Sequence, residues 1–348
     1  MQFQIVGGGI AGASIAYHLV KDGHDVTIYD RLDKGQATQV SAGIISPWVS
    51  QRRNKLWYEL VRTGAAYYPT FIEELENLTG SKTGYKKTGA VLFFRDEIVL
   101  PKAFKRILSK QQDAPEMGEL SYLTPERQRE LFPKLTTEFP ALFLTGAGMV
   151  NGAQLLDALK KAIVQLGGKW ISSNAVPESG QGITVYTAGA WGNEYQKKVP
   201  ISHQRAQLLH FTLESDEVYP VVMGLKTHYI VSFGNGRFAI GTTHEDTESF
   251  DSSPTAEAKA ELLDLAKMYF PGQELKELEM AVGLRPYTPN FLPVIEYVNE
   301  QTIVVNGLGS SGLTAAPILG KELSANYSNK PVRLPLEAFR LEEGTDGL

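Results

Sequence analysis

The 348-residue sequence predicts an α/β protein in two parts. Three observations carry this. A strand–glycine turn–helix–strand pattern opens the chain, a helix–strand pair follows in the middle, and a second strand–glycine turn–helix pattern lies near the end. The simplest arrangement joins these separated segments, 1–80, 141–200 and 300–330, into one α/β domain. The intervening segments, 81–140 and 201–299, then form a second domain built on an antiparallel sheet, and 331–348 is read as a loose C-terminal tail.

The elements follow in order. Gln2–Val6 is a short apolar strand, followed by Gly7-Gly8-Gly9-Ile10-Ala11-Gly12. Apolar residues then recur at helical spacing through Ile15, Ala16, Leu19 and Val20, with Gly23 as the stop, and Asp25–Asp30 alternates as a strand. Residues 52–80 read as a helix. Leu155–Leu166 is an amphipathic helix ended by Gly167-Gly168, and Ile183–Ala188 is a strand. His228–Phe233 and Arg237–Gly241 flank Gly234-Asn235-Gly236 and predict a hairpin. Residues 255–270 read as another helix. Thr302–Asn306 is a buried-strand run that leads into Gly307–Gly312 and a helix from Leu313 to about Tyr327.

Composition removes several classes of function. Hydrophobic residues make up 43% and charged residues 21%, the balance of a folded globular chain. The net charge of −5 offers no general attraction to nucleic acid. Without cysteine there is no disulfide, no thiolate metal site and no cysteine-linked cofactor. The six histidines show no paired ligand spacing, so no metal is expected. No apolar run reaches the ~18 residues of a membrane-spanning helix, and the strand beginning directly after Met1 leaves no room for a signal peptide. A cytoplasmic location is the expectation.

The opening glycines have a physical rationale. Gly7 permits the tight turn, Gly9 lets the backbone approach a pyrophosphate, and Gly12 lets the helix pack close to its strand. Phosphates then lie at the positive end of the helix. GxGxxG alone is weak evidence. Here a strand precedes it, a helix follows, and Asp30 ends the next strand as an acceptor for ribose hydroxyls, which completes a dinucleotide fingerprint.

The fingerprint does not separate NAD from FAD. Further segments occur in order: Ser41–Ile45, Gly89–Phe93, Thr187–Trp191, Gly283–Asn290 and Gly307–Gly312. Together they resemble the D-amino-acid-oxidase-like flavoenzymes over nearly the whole chain, nearest the glycine oxidase branch. The resemblance implies a Rossmann-like FAD-binding domain of the glutathione-reductase type, noncovalent FAD, and a substrate domain over the flavin. By that resemblance Ile10 and Ala11 meet the pyrophosphate, and Asp30 and Arg31 the adenosine. Ala37, Thr38, Ala42, Gly43 and Ile44 follow the flavin side, and Val176 meets the adenine. Gly189 joins the cofactor set, and Leu308, Gly309, Ser310, Ser311, Gly312, Leu313 and Thr314 wrap the ring.

For the substrate, the resemblance makes Arg285 a carboxylate clamp, since a planar guanidinium offers two parallel hydrogen bonds. A structural salt bridge is the competing role. Tyr229 is matched to a tyrosine that assists carboxylate binding, or is an aromatic of the sheet core. His244 faces the substrate and tunes its choice or acts as a base, or is a surface histidine. Trp48, Arg52 and Arg53 are placed to line the entrance, the two arginines otherwise being a solvated helix start. Ser310 stands where glycine oxidase has an arginine, and 168–189 is short for the family.

The implied reaction oxidises an amine or amino acid by hydride transfer from the α-carbon to the flavin, giving an imine that hydrolyses, with oxygen or another electron acceptor. FAD-dependent oxidation of a 2-hydroxy acid or polyol phosphate stays open, as does a non-catalytic FAD-binding subunit. A homo-oligomer is left open too.

Overall fold

The computed structural model describes residues 1–173 and 182–341. The N-terminal unit is β1 (Gln2–Val6), α1 (Ile10–Lys21) and β2 (Asp25–Asp30), as its glycine turn and apolar spacing dictate. A short β3 (Ile44–Ile45) precedes the long α2 (Lys55–Thr79). The Asn54 side chain caps α2 by accepting from the Trp57 N–H at 2.8 Å, and Gly80 ends it in the left-handed region.

Next come β4 (Ala90–Phe93), α3 (Leu100–Leu108), β5 (Leu120–Leu123), α4 (Pro125–Leu131), β6 (Ala141–Leu144) and β7 (Gly148–Met149). The chain returns through α5 (Gly152–Gln165), β8 (Lys169–Ser172), β9 (Ile183–Tyr186) and the one-turn α6 (Gly192–Tyr195). It then forms β10 (Ser202–Thr212), β11 (Val221–Met223), β12 (Tyr229–Gly234), β13 (Arg237–Gly241) and β14 (Glu245–Thr247). The last elements are α7 (Ala256–Tyr269), β15 (Lys276–Tyr287), β16 (Val294–Asn299), β17 (Thr302–Asn306) and α8 (Gly312–Tyr327).

Among the described residues, one sheet has six strands in the order β16-β17-β9-β1-β2-β8, all parallel except the edge β16. A nine-stranded sheet runs β14-β10-β13-β12-β11-β4-β6-β5, with β15 on the other side of β10. It is antiparallel apart from β4 with β11. The predicted hairpin is β12–β13, with Tyr229 opposite Gly241.

One face of the six-stranded sheet is covered by α1, α5 and α8, whose apolar residues join the main core with α2. Close approach sets this layer. A Cβ on Gly320 of α8 would lie 2.6 Å from the Ser14 carbonyl carbon of α1, and one on Gly64 of α2 would lie 2.2 Å from Thr314 O of α8. Among the described residues no helix is long and apolar enough to cross a membrane, and no cluster of acidic or histidine side chains suits a metal.

Three expectations need correction. β16 belongs to the six-stranded sheet, not with residues 201–299, because a two-residue turn folds it directly onto β17, Asn299 opposite Thr302. β6 belongs to the nine-stranded sheet, not with 141–200: its apolar Ala-Leu-Phe-Leu run suits the position between β4 and β5. Residues 331–341 are no loose tail. Leu334, Leu336 and Phe339 are buried in the core, and the backbone N–H groups of Arg333 and Leu334 donate to the buried Glu322 carboxylate.

Candidate active site

Parallel strands place their loops at one end, and that end of the six-stranded sheet faces the nine-stranded sheet across a cleft. The first wall is the glycine turn. Gly7 has φ +104°, and a Cβ there would lie 2.6 Å from Thr187 O. The Thr187 hydroxyl locks the turn at 2.7 Å from Gly7 O. A Cβ on Gly12 would lie 2.0 Å from Gly7 O, so that glycine serves helix packing, as expected, and stays out of the lining.

Gly9 differs. Its φ is an ordinary −69°, and a Cβ would find only Thr38 Oγ1 at 3.5 Å. Gly312 likewise has φ −52° and nearest neighbours at 3.6 Å or beyond. Neither backbone nor packing demands glycine at these two positions; both line the cleft, where the missing Cβ lets a ligand approach the backbone closely. Gly9 gives α1 no capping side chain, its first turn holds no acid, and the same holds for α8 beyond Gly309. Two helix N-termini therefore offer positive ends to one cleft, an arrangement that fits the pyrophosphate and the ring of FAD.

The rest of the wall follows the chain. Ile10 and Ala11 line the cleft, and the Ile10 N–H donates to Thr38 Oγ1 at 3.0 Å. Asp30, at the end of β2, is 4% exposed and accepts from Gln36 Nε2 at 3.0 Å. Arg31 is fixed by Asp33 and Glu194 and stacks on Tyr195. Ala37, Thr38, Ala42, Gly43, Ile44 and Gly189 line the cleft, as do Leu308, Gly309, Ser310, Gly312 and Leu313.

Ser311 and Thr314 do not line it. The Ser311 hydroxyl accepts from Trp57 Nε1 at 3.1 Å, and Thr314 is buried where α8 meets α2, because successive helix residues turn away from the cleft. Val176 lies outside the described residues. Trp48 is buried without lining the cleft; Arg52 donates to Phe291 O at 2.6 Å and stacks over Trp57.

The nine-stranded sheet supplies the opposite wall through Ala206, Leu208, Tyr229, Thr242 and Gly283–Pro286. Arg285 donates to Gln204 Oε1 at 2.8 Å and, among the described residues, has no carboxylate within ion-pair distance. Burial pulls its pKa below the usual arginine value, with Tyr229 and Asp246 acting in the other direction. The adjacent Tyr229 hydroxyl is pushed up to about 12 by burial, against the pull of Arg285 and of a Thr242 hydrogen bond. Tyr229 is thus neutral and able to donate.

His244 is exposed and outside the lining. β13 ends at Gly241, and the next residue, Thr242, takes the place on the wall. Partial enclosure, then the charges of Arg285 and His228, hold the His244 ring below the usual histidine pKa. Sequence reasoning passed over Gln36, Tyr195, Thr242 and Gln204. Thr187 and Trp191 lay in a recognised segment, whereas Gln204 carries no local signal and emerges only from strand register.

Comparison with known proteins agrees with this geometry. An uncharacterised oxidoreductase, YurR, of Bacillus subtilis (strain 168) is 40% identical over 360 residues, covering 96% of this chain and 97% of the relative. The glycine oxidase of Pseudomonas putida is 25% identical over 91% of each chain. Among solved structures, iminodiacetate oxidase from Chelativorans sp. BNC1 superposes with a TM-score of 0.91 at 30% identity, covering 97% of this chain and 98% of that one. The family described as FAD dependent oxidoreductase, the D-amino-acid-oxidase group, matches residues 3–326. The chain, with its paired helix ends and open glycines on one cleft, belongs to that family of FAD-dependent oxidoreductases.

Proposed function

We propose that this oxidoreductase acts on an amine that carries a carboxylate, an amino acid or an N-substituted glycine. The observation that carries the reading is Arg285: a largely buried guanidinium on the cleft wall, bonded to a neutral amide and left without an anionic partner among the described residues. Such a charge calls for an anion, and its fork suits a carboxylate held by two N–H groups. Tyr229, neutral beside it, donates a further hydrogen bond. The substrates in the names of two relatives, glycine and iminodiacetate, are both amines bearing carboxylates.

When bound, the family's FAD would supply the hydride-accepting chemistry of the reaction. Gly9, Gly312 and the N-termini of α1 and α8 would hold it, with Asp30 toward its ribose. The chain's own residues then bind and orient: Arg285 and Tyr229 fix the carboxylate, and Ala206 and Leu208 give an apolar wall that excludes water. Among the described residues no histidine lines the cleft, and its carboxylates, Asp30 and Asp33, belong to the β2 end, away from Arg285 on the opposite wall.

The test is anaerobic bleaching of the flavin bands. Glycine, N-methylglycine and iminodiacetate should bleach them readily, methylamine far more slowly, and glycolate not at all. Bleaching by glycolate, or by methylamine as readily as by the acids, would overturn the reading.

A further inference from the structure

We propose that Gln204 is a positioning residue that keeps Arg285 available to a substrate carboxylate by holding it apart from Asp246. The inference rests on the carboxylate-clamp reading above.

Strand register makes the arrangement. β10 lies between β15 and β14, and Gln204 is directly opposite Arg285 on one side and Asp246 on the other. The three residues form a row across three strands. Adjacent strands are ~4.8 Å apart, so the backbones of Arg285 and Asp246 are ~10 Å apart, a gap the two side chains together can bridge. The Gln204 amide fills it. Its Oε1 accepts from Arg285 at 2.8 Å, and its Nε2 donates to Asp246 Oδ1 at 2.8 Å. The network fixes this orientation, since a guanidinium only donates and a carboxylate only accepts. Tyr287, two residues beyond Arg285 on β15, also holds Asp246, its hydroxyl donating to the same Oδ1 at 3.1 Å.

The row lies at the substrate wall. Ala206 and Leu208, which alternate with Gln204 on one face of β10, line the cleft, as do Gly283 and Arg285 across from them. An ion pair here would satisfy Arg285 within the protein and compete with every incoming carboxylate. A neutral amide satisfies one guanidinium N–H, steadies the fork and leaves its charge uncancelled. Glutamine is neutral, long enough to reach both neighbours, and carries one acceptor and one donor group in the required order.

The test compares four holoenzymes: Gln204→Glu, Gln204→Ala, Gln204→Ala with Asp246→Asn, and Arg285→Ala. Each is assayed with N-methylglycine for KM and kcat, and titrated with acetate against the flavin spectrum. Gln204→Glu pairs Arg285 directly. Gln204→Ala lets it collapse onto Asp246. Each should raise KM and weaken acetate about tenfold or more, a larger change than any fall in kcat. Removing the Asp246 charge in the double variant should recover most of the loss. A double variant no better than Gln204→Ala alone, or a kcat loss with unchanged KM, would overturn the role, and the alanine pair decides this even if Gln204→Glu fails to fold. Arg285→Ala separates the two levels. If it leaves acetate binding intact, the clamp reading itself fails; if it abolishes binding while the Gln204 variants behave as wild type, only the present inference fails.

Discussion

Among the residues of the cleft, two kinds of glycine divide the fold from the site. Gly7 and Gly12 are demanded by backbone conformation and packing, whereas Gly9 and Gly312 line the cleft with room for a Cβ in ordinary contact. Gly9→Val should therefore give a folded protein without its flavin, because the branched side chain projects into the cleft rather than into the core. Far-UV circular dichroism and the flavin absorbance per chain check this. A folded variant with a full complement of FAD would contradict it. A second prediction concerns His18, buried with Nε2 unpartnered and its pKa lowered to about 3 from 6.5 by burial, then by Lys21 and Lys321. The native state keeps it neutral. Below pH 6.5 the unfolded chain takes up a proton that the native state refuses, so stability falls with acidity by up to ~1.4 kcal/mol per pH unit. His18→Leu should flatten the fall of Tm between pH 7 and 5; an unchanged slope would contradict this. At this scale the places of Gly9, Asp30 and Arg285 on the cleft were legible in the sequence, the first two from the glycine turn and the strand end, and Arg285 from the family resemblance. Ser311, Thr314 and His244 were not, since facing depends on helix phase and on where β13 ends.

Helix contact decides the stability of the next scale. α8 is pressed between α1 and α2 at glycines, and Gly320→Ala would place a carbon 2.6 Å from the backbone of Ser14. Overpacking of this kind costs about 1–3 kcal/mol. The variant should melt several degrees lower and lose flavin on heating together with the fold, since α8 also carries the cleft's second helix end; a Tm equal to wild type would show that the helices shift at no cost. Elements with a local signature were readable: the βαβ start, α5, β12–β13 and the β17–α8 turn. Others were not. The long pair β10–β15 joins residues some eighty positions apart, Gln204 to Arg285, and no local period announces a partner. β16 alternates in a way that suits either sheet, and only the tight turn to β17 assigns it. The docked 331–341 segment was hidden because its apolar residues, Leu334, Leu336 and Phe339, are spaced among charges.

The whole molecule joins its two large sheets around one cleft, the six-stranded sheet presenting helix ends to the cofactor and the nine-stranded sheet presenting Arg285. No cysteine is available for a covalent link, so acid precipitation should release all the flavin colour to the supernatant. Colour kept in the pellet would contradict noncovalent binding. The central claim is that Arg285 holds a substrate carboxylate, and the direct measurement is kcat/KM of Arg285→Ala on matched pairs of substrates with and without that group. Losing two charge-assisted hydrogen bonds that do not add fully removes roughly 3 kcal/mol, or ~100-fold in kcat/KM. The account predicts that loss for N-methylglycine, little change for dimethylamine, partial recovery in Arg285→Lys and normal flavin content. Equal losses for the acid and the amine would contradict it and make Arg285 a structural residue.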